Sequence, residues 1–322
     1  MEQKSKNKYL TVLLAAYNGS AYIAEQLESI ISSMSQYTTN YKIIVSDDYS
    51  TDDTVNIINN INTLFSVDIL SPPNRCGSAH LNFSYLLNKA YEIDASDYYM
   101  LSDQDDIWTD MKVSLLMTKM HELEKIHGKE IPLLVFSDAT IVDQNLNIIF
   151  DSFWEYESLS PKFGKNFKKL CLHNVVQGAT MLFNKALLEC SAPIPIKATM
   201  HDRWIATVAS SFGVIEHMPD KTILYRQHNS NLVGAKGFRL LSILINFMSY
   251  SVKAKKSIEA SKEQAHIFLN IYNSRISDSD RTFLEELIMI GERNWIYRKI
   301  FVFRHKLFLG SIKRTLGLIL AI

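Results

Sequence analysis

The chain has 322 residues, 47% of them hydrophobic, enough for one large domain or two small ones around a substantial core. Lys+Arg and Asp+Glu stand at 34 each, but the balance hides a net −8 over residues 1–235 and a net +8 from Lys236 onward. An acidic front without zinc-finger or RNP pattern excludes nucleic acid as the expected partner. Three cysteines, Cys76, Cys171 and Cys190, lack metal or CxxC spacing and point to a reducing, cytoplasmic compartment.

In chain order, the apolar run at 9–16 reads as a buried parallel strand, followed by a turn at Tyr17-Asn18-Gly19-Ser20. Residues 21–34 have helical apolar spacing. Residues 41–46 form a second strand ending on Asp47-Asp48, with Ser50 or Thr51 placed to cap the next helix. A short strand is expected at 67–70, a helix at 80–91 and a fourth strand at 98–101. This alternation predicts an α/β fold, a mostly parallel Rossmann-like sheet with helices on both faces. In such sheets ligands sit at the carboxyl ends of strands. Beyond it, a strand at 133–137, a hairpin around Asn145, a loop at 151–173, helices at 184–190 and 202–212, and short strands at 214–217 and 222–225 are expected. The pattern is helical after Gly237. No GxGxxG follows the first strand, which disfavours a dehydrogenase.

The polar groups gather where the fold would bind a ligand. Ser102-Asp103-Gln104-Asp105-Asp106 closes the fourth strand. Three carboxylates in four residues repel one another and call for a cation or hydrogen-bond donors. Hard oxygen ligands at this density suit Mg²⁺ or Mn²⁺ beside a substrate phosphate. The plainer alternative is a solvated loop capping the helix that starts near Thr109.

Five stretches, in this order, resemble the family-2 glycosyltransferases with the GT-A fold, in particular bacterial rhamnosyltransferase-type members. They are Leu14 to Gly19, Val45 to Asp52, Ser102 to Trp108, His201-Asp202-Arg203-Trp204, and Tyr225 to Asn231. The resemblance implies a catalytic domain over 1–235 and an inverting transfer from a nucleotide-diphosphate sugar to a saccharide hydroxyl in surface polysaccharide synthesis. It implies that Tyr17 stacks on the nucleobase beside Asn18, that Asp48 accepts the base imide N–H, and that Asp47 shapes the loop. Asp103 would meet ribose or metal, Asp105 would ligate the metal, and Asp106 would orient the loop. Asp202 would be the general base, with His201 as a neighbour. Arg203 would pair with Asp202 or grip phosphate. Arg226, Gln227 and His228 would lie over the diphosphate, and Gln177, Gly178 and Trp204 on the acceptor side. The favoured donor is dTDP-L-rhamnose; a UDP-galactose or UDP-glucose enzyme, or a non-catalytic sugar-nucleotide-binding component of an assembly complex, are the alternatives. Two departures from the family pattern, Ala16 for a common Thr and Tyr49 for a common Gly, bear on the nucleotide.

Residues 236–322 read as a helical, basic region. From Arg293 onward seven Lys/Arg and no acid are interleaved with aromatic and aliphatic residues. Charges interrupt the apolar run too often for a span. A basic amphipathic helix lying on the inner face of the plasma membrane would suit a lipid-linked acceptor. Equally, the apolar face could pack on the catalytic domain or on a second copy as a homo-oligomer.

Overall fold

The computed structural model describes residues 10–38, 40–62, 67–93, 96–228, 247–310 and 312–322. Its first half follows the predicted alternation: β1 (Leu10–Ala16), α1 (Ile23–Tyr37), β2 (Tyr41–Asp47), α2 (Thr54–Asn62), β3 (Val67–Leu70), α3 (Ala79–Ile93) and β4 (Tyr98–Ser102). The four strands are parallel, in the order β3-β2-β1-β4. Both β2 and β4 pair with β1, so the chain reverses its direction of winding at β1. The carboxyl ends of β1 and β4 therefore border the crevice where such sheets bind ligands.

The second half widens the sheet. It comprises β5 (Ile107–Trp108), α4 (Lys112–His127), β6 (Leu133–Val142), β7 (Ile148–Phe150), short helices α5 (Phe153–Tyr156) and α6 (Phe167–Leu170), β8 (Met181–Asn184), α7 (Lys185–Ser191), α8 (His201–Phe212) and β9 (Val214–Arg226). Strand β8 runs antiparallel between β4 and β6, and β9 is parallel to β6. The result is a nine-stranded, mostly parallel sheet.

The apolar runs are continuous because both faces of the sheet are covered. Along β1, Leu13 and Ala15 face one core with α3 and α8, while Val12, Leu14 and Ala16 face the other with α1 and α4. The same alternation divides Leu134 and Phe136 from Leu133 and Val135 on β6.

The structure revises several expected elements. The two short strands at 214–217 and 222–225 are one 13-residue strand, bent where its register on β6 shifts at Ser137–Ala139. The 151–173 loop contains α5, α6 and a 3₁₀ turn. The hairpin is present: Asp143 Oδ1 accepts from the backbone N–H groups of Asn145 and Asn147 at 2.8 and 2.9 Å. Strands β5 and β8 were not foreseen: β5 has two residues, and β8 runs straight into α7 at Lys185 with no loop to mark its end.

The C-terminal helices are α9 (Phe247–Tyr272), α10 (Asp278–Ile288), α11 (Trp295–Arg304) and α12 (Ile312–Ala321). Among the described residues, no helix is long and apolar enough to cross a membrane. The expected boundary near residue 235 lies outside the described residues. The helices beyond it pack on the α8 face: Phe268, Tyr272, Phe283 and Phe301 belong to the same core as Trp204 and Val208.

Candidate active site

Three loops at strand ends are stitched together by side-chain to backbone bonds. After β1, Asn18 adopts a left-handed φ of 47°, which its short amide tolerates. Its Oδ1 accepts from Thr51 N–H at 2.8 Å, and its own N–H donates to Ser50 Oγ at 2.8 Å. The loop after β1 is thus fixed to the loop after β2. Gln104 fixes it to the acidic loop: Oε1 accepts from Tyr17 N–H at 2.8 Å and Nε2 donates to Tyr17 O at 3.1 Å. Gly19 permits this clamp, since a Cβ there would lie 2.3 Å from Gln104 Oε1. Held in this way, the Tyr17 ring is 38% exposed and offers a stacking surface, with the Arg75 guanidinium 4.5 Å from its centroid.

The acid pair after β2 is an anchor in the structure. Asp47 accepts from Ser50 N–H and Oγ–H at 3.0 and 2.5 Å, which shapes the turn as expected. Asp48 accepts from the backbone N–H groups of Cys76 and Gly77 at 2.5 and 2.8 Å. Each oxygen of a carboxylate has a second lone pair, so a further acceptor role is chemically open to it. Tyr49 follows with a φ of 63°, which explains why glycine suits this position.

The acidic loop is electrostatically loaded. Asp103 has its carboxyl pushed up to about 7, by burial first and then by the charges of Asp105 and Asp202. Asp106 is buried and shifted upward for the same reasons, burial foremost. One of its oxygens accepts from Arg226 N–H at 3.1 Å and the other has no partner. Asp105 Oδ2 lies 2.9 Å from His228 Nε2, whose ring leans on Tyr22. The Arg226 guanidinium bonds Asp105 O, Gln144 O and Glu25 Oε2, at 2.9, 2.8 and 2.7 Å. It ties the end of β9 to the acidic loop, so its cation is already engaged there. No three His, Cys, Asp or Glu side chains are preassembled as a metal cage among the described residues. The chemistry of the donors nevertheless fits a hard divalent ion that takes one or two carboxylates and completes its shell with phosphate and water.

Asp202 stands in the first turn of α8, across from this loop. Its carboxylate accepts from Arg203 N–H at 2.6 Å and from the Gly178 N–H. Burial still raises its pKa to about 6, against the pull of those donors. A Cβ at Gly178 would lie 3.5 Å from Asp202 Cβ and 3.7 Å from Leu101 at the end of β4, so Asp202 stands at the strand end that carries the acidic loop. Gly178 is tightly placed, since the same Cβ would sit 3.1 Å from His201 Nε2. Beside it, Gln177 Oε1 and His201 Nδ1 are buried without a partner, which leaves polar atoms for a ligand to satisfy.

Two expected site residues are not in the site. Arg203 points away from the acidic loop and is buried; its guanidinium donates to Leu170 O at 3.2 Å, to Cys171 O, and to Ser261 Oγ of α9 at 2.8 Å. On a helix, neighbours i and i+1 point in different directions, and only Asp202 faces the ligand crevice. Trp204 is wholly buried, donates Nε1–H to Ser191 O at 3.0 Å and packs on Phe268 and Tyr272. It belongs to the core and not to the acceptor side.

Two contributors went unread in the sequence. Gln104 was visible but carried no assigned role. Lys112 is fully buried; its Nζ donates to Ala179 O and lies 4.2 Å from the Trp108 ring centroid. It bridges the acidic side to the Gln177–Ala179 segment beside Asp202. Burial lowers its pKa to about 7, against the pull of Asp106 and Asp103. The signal was its place on an apolar stripe with Leu116, Met120 and Leu123.

The exposed Tyr17 ring, the acidic loop closing β4 and the Asp202 carboxylate at the start of α8 make the strand ends the candidate active site. Residues 11–191 match the family described as "Glycosyl transferase family 2", and the chain belongs to that family of glycosyltransferases. It is 30% identical over 232 residues to the dTDP-rhamnosyl transferase RfbG of Shigella flexneri, covering 69% of this chain and 74% of that one. It is 35% identical over 117 residues to an Escherichia coli UDP-Glc:alpha-D-GlcNAc-diphosphoundecaprenol beta-1,3-glucosyltransferase, WfaP, covering 36% of this chain and 43% of that protein. Among solved structures it resembles Staphylococcus aureus TarS in complex with UDP-GlcNAc, with a TM-score of 0.57, 15% identity and coverage of 87% and 70%. It also resembles the mannosyltransferase PcManGT of Pyrobaculum calidifontis with GDP-Man and Mn²⁺, with a TM-score of 0.51, 13% identity and coverage of 97% and 85%. These two likenesses establish the GT-A fold.

Proposed function

We propose that the protein transfers a sugar, with inversion, from a nucleotide-diphosphate donor to a saccharide hydroxyl in bacterial surface polysaccharide synthesis, and that dTDP-L-rhamnose is the donor. The observation that carries the reaction is Asp202: a part-buried carboxylate with a pKa raised to about 6, opposite an acidic loop at the ligand crevice. The similarity to a dTDP-rhamnosyl transferase supports the donor.

In this reading Tyr17 stacks on the base and Asp48 accepts its imide proton. Asp103 and Asp105 would hold Mg²⁺ or Mn²⁺, which would supply positive charge beside the diphosphate. Gln227 and His228 close over the phosphates, and Gln177 and the Gly178 backbone receive the acceptor. The acceptor hydroxyl gives its proton to Asp202 as its oxygen bonds the anomeric carbon. The bond from that carbon to the diphosphate oxygen breaks on the opposite face. No enzyme nucleophile is required. The acceptor is a lipid-linked saccharide, which calls for peripheral contact with the inner face of a membrane.

A second reading, glucosyl transfer from a UDP-sugar, is favoured by the similarity to WfaP over 117 residues. Incubation with Mn²⁺ and a panel of nucleotide sugars, with binding and slow donor hydrolysis as readouts, separates them. Preference for thymidine donors is expected; preference for uridine donors would replace rhamnose, and binding of none would sink the catalytic reading.

A further inference from the structure

From Arg293 to Ile322 the chain carries seven Lys/Arg and no Asp/Glu. One side of α11 is committed to the core through Phe301 and Val302, followed by Leu307. Its other side exposes Ile296, Ile300 and Phe303, spaced i, i+4 and i+7, with Trp295 exposed at the first residue of the helix. Helix α12 adds Leu316 and Leu320, one turn apart and also exposed. The two helices are tied at one end, where Lys299 donates its Nζ–H to Ile319 O and Arg298 donates to Ile322 O at 3.3 Å. A grouped set of large apolar side chains beside cations is more than the scattered exposure of an ordinary surface.

We propose that this face of α11 and α12 lies on an anionic lipid surface. Arg304 and Arg314 face Glu286 and Glu157, but Arg298 and Lys299 bond backbone carbonyls, and Arg293 and Lys306 are exposed, so positive charge is left over. That surplus decides the occupant. A second copy meeting the same face would set Arg293, Arg298, Lys299 and Lys306 against the same cations, with Glu286 already paired to Arg304 and Glu292 the one further acid at the start of the helix. A bilayer with acidic headgroups offers the opposite sign and an acyl boundary for the tryptophan and the aliphatic row. The catalytic domain is ruled out as occupant because it already holds the other side of α11. The lipid partner accords with the lipid-linked acceptor proposed above, yet vesicle binding is read without donor or acceptor, so either idea can fail alone.

Tryptophan fluorescence isolates this surface. Of the four tryptophans, Trp108, Trp154 and Trp204 are buried, while Trp295 is 71% exposed. The full chain is mixed with vesicles of phosphatidylglycerol and phosphatidylcholine, or of phosphatidylcholine alone, and followed by co-sedimentation and emission. Binding at least tenfold tighter to the anionic vesicles is expected, with a blue shift from Trp295 and weakening in molar salt. The double variant Trp295→Ser/Ile300→Ser is expected to lose about tenfold or more in partitioning, whereas Ile126→Ser, exposed on α4, leaves it unchanged. Equal affinity for neutral vesicles, or no binding to either, overturns the proposal. So does a concentration-dependent dimer, seen by sedimentation, that Trp295→Ser converts to monomer.

Discussion

The two walls of the crevice are built differently. The donor wall comes from three strand ends, and its loops are held by short polar side chains and backbone amides, as in the Asn18, Gln104 and Asp48 contacts. The base wall comes from the N-terminal turn of α8. There a single carboxylate is set by the buried Arg203 and Trp204 that follow it and by the close-fitting Gly178 in front. Position along a strand suffices to place a group on the first wall. Placement on the second depends on packing in the layers below, which reach as far as α9.

That contrast can be broken or sharpened by substitution. The largest effect is expected from Asp202→Asn, which keeps the shape but removes the proton acceptor. Product formation should fall by roughly 10³-fold with donor affinity unchanged; an unaltered rate would remove Asp202 from the mechanism. Next comes Arg203→Met. If Arg203 supports the wall from behind, the loss of its bonds to two buried carbonyls and Ser261 costs about 3 kcal/mol of stability. Thermal melting then drops by several degrees while donor binding, read by calorimetry on the folded protein, is unchanged. Weakened donor binding with unchanged melting would return Arg203 to the phosphate.

The pH dependence comes third. Burial raises the Asp202 carboxyl to about 6, so below that pH it is protonated and cannot accept the hydroxyl proton. The rate should fall about tenfold per unit beneath pH 6 and level off above it. Asp103, raised to about 7, holds a proton that a divalent ion must displace, so Mn²⁺ binding should tighten as pH rises through 7. The smallest effect is expected on the donor wall. Gly19→Ala pushes on Gln104, the movable end of a side chain, and should raise the donor KM by only a few fold while leaving kcat near its original value.

The same contrast governs what the sequence disclosed. The four parallel strands were readable because each is an apolar run flanked by turn residues, and the groups at their ends inherited their location. Asp202 was singled out through the family resemblance of His201-Asp202-Arg203-Trp204, since an aspartate at a helix start reads by itself as a cap. Arg203 and Trp204 were misplaced because adjacency in sequence was taken for adjacency at the crevice. On a helix the next residue turns about 100° away. Lys112 went unread because a buried lysine makes sense only once the Ala179 carbonyl and the Trp108 face are seen around it. Strand β8 runs without a break into the helix pattern of α7 and so did not announce itself, yet its pairing with both β4 and β6 makes the two halves one sheet.

The bond from Arg203 to Ser261 bears on how such a chain can be rebuilt or can diverge. The residue after the base is plugged into a helix that begins beyond the catalytic family match, which ends at residue 191. The terminal helices are therefore poor candidates for free exchange between related enzymes. A transplant that supplied new helices without a hydroxyl at the Ser261 position and apolar partners for Trp204 would disturb the alignment of the base. Whatever the terminal region recruits, it is inherited together with the reaction centre.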